Sequence, residues 1–206
     1  MIDFNFYLIT DRTQCVADTL EEQVEKACEA GLKAVQLREK DLPDRELLRY
    51  ADALRAVTDR YNTKLFINDR VDVAMMAGAD GVHLRETSVS PDEIKRLAPD
   101  LLVGASVHSL EKAKQAEEDG ADFVLFGPIF DTPSKRQYGK PKGLVALQEI
   151  SQFMKIPVFA VGGIKPGNAE RCIEYNADGV AGISSVMAAE DPSKIMESYK
   201  KLWGTL

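Results

Sequence analysis

Eight short apolar segments alternating with amphipathic stretches predict an α/β protein, a single-domain (β/α)8 TIM barrel spanning residues 1–206. Two further observations agree. A phrase ending in Ala-Asp and an apolar opening recurs where helical pattern gives way to apolar run, and several runs carry polar or glycine residues at their carboxyl ends. That rim is where such barrels hold their sites. With 206 residues and 45% hydrophobic content, the chain can bury one sizeable core.

Taken in order, strands are predicted at 6–10, 34–37, 64–67, 81–84, 102–105, 123–126, 158–161 and 179–183. Each is short and apolar, as parallel strands covered on both faces are. Helix starts are legible as Asp44 before RELLRYADALRAV, Ser90 before Pro91, and Asp191 before Pro192. An oxygen-bearing cap satisfies orphan amides, and proline presets φ at the first helical position. Helix ends are marked by AGADGV (77–82), DGADFV (119–124) and YNADGV (175–180), with AGLKAV (30–35) a looser copy. Glycine or asparagine after the last turn accepts the left-handed conformation of a helix stop. The repeat is therefore read as architectural, and Trp203 as a packing residue of the last helix.

The balance of 26 basic against 33 acidic residues gives a net charge of −7, which disfavours nucleic acid or an anionic membrane as partner. No apolar stretch approaches the roughly 20 residues that cross a bilayer. Asp3 stands where a signal peptide would carry positive charge, so a cytoplasmic protein is expected. Cys15, Cys28 and Cys172 lie far apart without zinc-site or disulfide spacing and are read as reduced spectators.

Candidate site residues follow the strand ends. In VQLREK (35–40), side chains two apart share a face, so Gln36, Arg38 and Lys40 are expected to converge on a phosphorylated ligand. The third strand delivers Asn68 and Asp69, which point oppositely unless the chain turns there. Asp69 is the best-placed carboxylate for magnesium, which takes one or two protein carboxylates plus substrate phosphate oxygens. A salt bridge to Arg70 or a helix cap is the plainer reading. Ser106 and His108 follow the fifth strand, whereas His83 inside the fourth reads as a hydrogen-bonded core histidine. The long connection DTPSKRQYGKPKG (131–143) carries Thr132, Ser134, Lys135, Arg136, Lys140 and Lys142, and is expected to be a lid over anions. Gly162, Gly163, Ile183 and Ser184 end the last two strands, where backbone amides favour a phosphate. No hydrolase triad or dinucleotide fingerprint is present.

Over nearly its whole length the chain resembles the thiamine phosphate synthases and their sister family, the TenI thiazole tautomerases. The likeness is carried by YLITDR (7–12), VQLREK, INDRVDVA (67–74), ADGVHL (79–84), GASVHS (104–109), GPIFDTPSK (127–135) and AVGGI (160–164). The synthase resemblance implies that Gln36, Arg38 and Lys40 hold the diphosphate of an aminopyrimidine, that Asn68 and Ser106 address its ring, and that Asp69 binds Mg2+. It implies that Thr132, Ser134, Lys135, Gly163, Ile183 and Ser184 frame a thiazole phosphate and the departing diphosphate, with Arg38, Lys40 and Lys135 as the catalytic cations. The implied partners are small phosphorylated pyrimidine and thiazole substrates, and a homodimer through exposed apolar helix faces is one alternative for assembly. One departure stands out. The synthase pattern runs HLGQ and then an aspartate two residues on, whereas HLRETS (83–88) places Arg85, Glu86 and Ser88 there. That loss favours a TenI-like tautomerase or a non-catalytic binder of thiamine precursors. Retention of NDR and QLREK, and Pro128 where the tautomerases carry a histidine, favours the synthase.

Overall fold

The computed structural model describes residues 2–132 and 140–204. Strands β1 (Phe6–Ile9), β2 (Ala34–Leu37), β3 (Lys64–Asn68), β4 (Gly81–Leu84), β5 (Leu102–Val107), β6 (Phe123–Phe126), β7 (Val158–Val161) and β8 (Gly179–Gly182) follow one another around a closed barrel. All pairings are parallel, and β1 closes the ring by pairing with both β2 and β8. The predicted strands all form. β1 and β8 stop one residue early, and β3 and β5 run on to Asn68 and Val107.

Helices α1 (Leu20–Glu29), α2 (Asp44–Tyr61), α3 (Val71–Met76), α4 (Pro91–Leu97), α5 (Leu110–Glu118), α6 (Gly143–Phe153), α7 (Pro166–Glu174), α8 (Ser184–Met187) and α9 (Pro192–Lys200) form the outer layer. The recurring phrase ends four of them by one device. Gly31, Gly78, Gly120 and Asn176 are left-handed, and the next amide bonds back five residues, Leu32 to Ala27, Ala79 to Ala74, Ala121 to Ala116 and Ala177 to Cys172. Its aspartate then fixes strand register. Asp80, Asp122 and Asp178 accept the amides of Leu65, Val103 and Val158 on the neighbouring strand at 2.7–2.8 Å.

Two of the predicted caps form: Ser90 makes a capping box with Glu93 ahead of Pro91, and Asp191 accepts from the Lys194 amide. Asp44 does not cap α2. It is the first helical residue, Pro43 occupies the cap position with its carbonyl taking the Glu46 and Leu47 amides, and the Asp44 carboxylate instead meets Arg70 at 2.5 Å. Trp203 packs partly buried against the outer core, as expected.

The barrel interior is filled from below by aromatic rings. Phe4, Tyr7, Phe66, Phe123 and Phe159 interlock with centroids 5.3–6.0 Å apart. Space for them comes from inward-facing glycines: a Cβ on Gly81 or Gly104 would lie 2.5 Å from the Phe66 or Phe123 ring. The floor is thus filled by side chains, and any ligand must sit above it. The three cysteines are free, and burial pushes the Cys28 and Cys172 thiols up to about 11, which keeps them protonated and inert. Among the described residues, no helix is long and apolar enough to cross a membrane.

Candidate functional site

Above the aromatic floor, the inward positions of β2 to β5 turn polar. Gln36 is only 1% exposed, and its amide nitrogen donates to the Tyr7 hydroxyl at 3.3 Å. His83, 2% exposed, shares a 3.0 Å hydrogen bond with the Ser106 hydroxyl through Nε2, as its reading as a core histidine anticipates. Burial, with the positive charge of Arg38 second, brings its pKa down to about 3, so the ring is neutral.

That neutrality has a sign. An unfolded histidine titrates near 6.5, so between about pH 6.5 and 3 the unfolded chain binds a proton that the folded chain refuses. The stabilising contribution is complete above about pH 6.5 and is lost at about 1.4 kcal/mol per unit as pH falls toward 3. Urea unfolding of the wild type and His83→Gln at pH 7 and pH 5 checks this. The stability difference between the two proteins is expected to shift by about 2 kcal/mol against the wild type at pH 5, and an unchanged difference would contradict a neutral buried ring.

The alternation expected through VQLREK ends with β2 at Leu37. Beyond it the chain turns, and Glu39, which alternation would aim away from Arg38 and Lys40, is drawn inward and buried. Its carboxylate accepts from the Thr10 hydroxyl at 2.7 Å, from the Arg12 amide at 3.1 Å and from Arg12 Nη1 at 3.1 Å. Thr10 in turn accepts the Arg38 amide at 2.9 Å. This knot ties the ends of β1 and β2 together and sets where Arg38 and Lys40 begin. Arg38 is half-buried and is the first residue past the end of β2, on the rim.

A cavity of about 360 Å³ opens beside this knot, lined by Glu39, Lys40, Asn68, Asp69, Arg70 and Arg85 among others. Asn68 and Asp69 both reach it because the chain turns between them, with Asp69 left-handed at φ 65°. Arg85 places Nε 2.7 Å from Asp69 Oδ2 and bonds the same oxygen through Nη2. The Ser88 hydroxyl donates to Oδ1 and accepts the Arg85 amide at 3.0 Å. Arg70 turns away to Asp72 and Asp44, so the partner of Asp69 is Arg85, sixteen residues on, rather than its chain neighbour. A larger cavity of about 770 Å³ lies between residues 12–21 and α2, but Asp18, Glu21 and Glu46 face Arg12 and Arg49 there, a poorer setting for an anion.

Whether Asp69 suits a resident magnesium ion is decided by its surroundings. Both of its oxygens are committed, one to a guanidinium and one to a hydroxyl. Glu86, two residues before Ser88, accepts the His108 amide at 3.1 Å. Among the described residues, no three His, Cys, Asp or Glu side chains gather as a metal cage. These groups do not fit a protein-held divalent ion, which needs carboxylate oxygens facing it.

The remaining candidates divide by element. Parallel closure puts the ends of β2 to β8 on one rim. Gly163 is left-handed there and approaches the Phe130 backbone, and its carbonyl accepts from the Asn168 side chain at 2.9 Å. Ile183 and Ser184 open the short helix α8, with Ser184 exposed. Thr132 donates to the Phe130 carbonyl at 3.2 Å, and His108 Nδ1 lies 2.9 Å from the Gly127 carbonyl oxygen. Ser134, Lys135 and Arg136, with most of the expected lid, lie outside the described residues. Thus Lys40, Asn68 and Asp69 meet in one cavity, Arg38 follows the end of β2, Ser106 bonds His83 within the barrel, and Gln36 is sealed beneath. Glu39, Arg12 and the pairing role of Arg85 escaped the sequence reading. Only the departure at HLRETS pointed to the last.

The family model described as thiamine monophosphate synthase matches residues 6–186. A thiamine-phosphate synthase of Pyrococcus furiosus is 41% identical over 95% of this chain and 93% of its own length. One from Roseiflexus castenholzii is 41% identical over 90% of this chain and 82% of its own. Among solved structures, thiamine phosphate pyrophosphorylase from Pyrococcus furiosus superposes with a TM-score of 0.88 at 40% identity, covering 96% of this chain and 94% of that one.

Proposed function

The chain belongs to the thiamine monophosphate synthase family, and on that premise we propose how its residues carry the reaction. It is a transferase of thiamine biosynthesis, of the thiamine-phosphate diphosphorylase type. The substrates are a hydroxymethylpyrimidine diphosphate and a thiazole phosphate. The bond between the pyrimidine methylene carbon and the diphosphate oxygen breaks, the amino group of the ring supports the resulting cation, and the thiazole nitrogen forms the new C–N bond. Diphosphate leaves, and no proton need be removed.

What catalysis requires is therefore positive charge fixed where the leaving oxygens gather charge, together with alignment of the two rings. Arg38 and Lys40 supply the first on the β2 side, and Lys135 would add to it from its connection. Asn68 and Ser106 address the pyrimidine from the ends of β3 and β5. Gly163, Ile183, Ser184, Thr132 and Ser134 frame the thiazole phosphate. Gln36 holds Tyr7 and so supports the floor of the ring site. The observation that carries this reading is that Lys40 and Asn68 line a cavity in which both carboxylates already have cationic partners, Glu39 with Arg12 and Asp69 with Arg85. Its lining sets three cations, Lys40, Arg70 and Arg85, against the two carboxylates, so an added anion adjoins positive charge.

Incubating the purified chain with both substrates tests the proposal. Thiamine phosphate and diphosphate are expected in equal amounts. Isomerised thiazole without coupling, or saturable binding without turnover, would overturn it.

A further inference from the structure

We propose that Arg85 is a fixed cation of the diphosphate site, and that this chain binds diphosphate without a divalent metal ion. The inference rests on the reading above for the identity of the anion, while its geometry stands independently. Asp69, the carboxylate best placed to hold a metal, holds a guanidinium instead. Arg85 presents Nε and Nη2 to a single carboxylate oxygen, and Ser88 closes the arrangement by donating to the other oxygen while accepting the Arg85 amide. The carboxylate thus anchors the planar fork at one edge.

The contrast with an ordinary surface pair lies in exposure and position. The Asp69 side chain is only 20% exposed, whereas Arg85 is 52% exposed, and both line the cavity that holds Lys40 and Asn68. The acid is set back and the base is presented. An arginine fork matches two phosphate oxygens with directed hydrogen bonds and never loses its charge. Ser88 adds no negative charge beside Asp69, and the other carboxylate of the cavity, Glu39, is held by Arg12. Asp69 and Ser88 act through Arg85 as its positioning residues.

Isothermal titration of inorganic pyrophosphate decides the matter, in EDTA and in magnesium, with wild type, Arg85→Ala and Arg85→Lys. The wild type is expected to bind in EDTA within about threefold of its affinity in magnesium, because a charge-assisted pair is worth roughly tenfold or more. Arg85→Ala, confirmed folded by its melting temperature, is expected to lose about tenfold or more in EDTA, and Arg85→Lys to retain part of that. Wild-type binding seen only with magnesium, or equal binding by wild type and Arg85→Ala in EDTA, would overturn the inference. The coupling assay run alongside separates the two readings: product formed but pyrophosphate bound only with magnesium sinks the inference alone, whereas metal-free binding without product sinks the proposed reaction and leaves Arg85 in place.

Discussion

Arg38→Ala is expected to lower kcat/KM for ring coupling by about 10²–10³, the usual loss when one preorganised donor to developing negative charge is removed. Arg38 is half-buried at the carboxyl end of β2, on the rim. Its backbone amide donates to Thr10 and survives the substitution, which keeps the β1–β2 junction, so activity is expected to fall further than stability. Steady-state kinetics paired with thermal melting read the two effects separately. A loss below about threefold, against the expectation for a removed donor, would take Arg38 out of the reacting site.

Glu39→Ala should act in the opposite proportion, first on the fold and through it on the site. The Glu39 side chain is buried, and its oxygens serve Thr10 and both the amide and guanidinium of Arg12. Removing one partner of a buried pair leaves the other charge uncompensated and costs about 3–5 kcal/mol. For a chain of this length that is a fall in melting temperature of roughly 6–20 °C. Arg12 keeps Asp41, which it meets at 2.6 Å, so the lower part of the range is expected. Glu39→Gln retains acceptor and shape and should lose less. Differential scanning fluorimetry gives the ranking, and equal melting temperatures for all three proteins would mean that the knot does not hold β1 to β2.

The barrel was legible because its signals are local. Each strand is a short apolar run, and each Gly-Ala-Asp or Asn-Ala-Asp junction encodes a helix stop and a register bond within six residues. The rim was legible through strand ends, which is why Lys40, Asn68 and Asp69 could be named and meet in one cavity. What local pattern does not carry is the choice of partner across loops. Strand alternation placed Glu39 away from the site, but the chain leaves β2 at Leu37 and alternation ends with it. Asp44 looked like a cap because oxygen-bearing residues often are, yet Pro43 took that position and left the carboxylate for Arg70. The pairing of Asp69 with Arg85 joins the ends of β3 and β4, and only folded strands bring them together. Gln36 followed the same alternation correctly, but the hydroxyl of Tyr7 claimed it below the rim.

The account turns on one anion site at the carboxyl ends of β2 to β4. A crystal structure of the protein with inorganic pyrophosphate, grown in EDTA, tests it most directly. The account predicts phosphate density within hydrogen-bonding distance of Lys40 and Arg85, at the mouth that Arg38 overlooks, with Arg85 still bonded to Asp69. Ordered pyrophosphate confined to the cavity beside Cys15 and Tyr50, or to the opposite rim near Asp80 and Asp122, would contradict it.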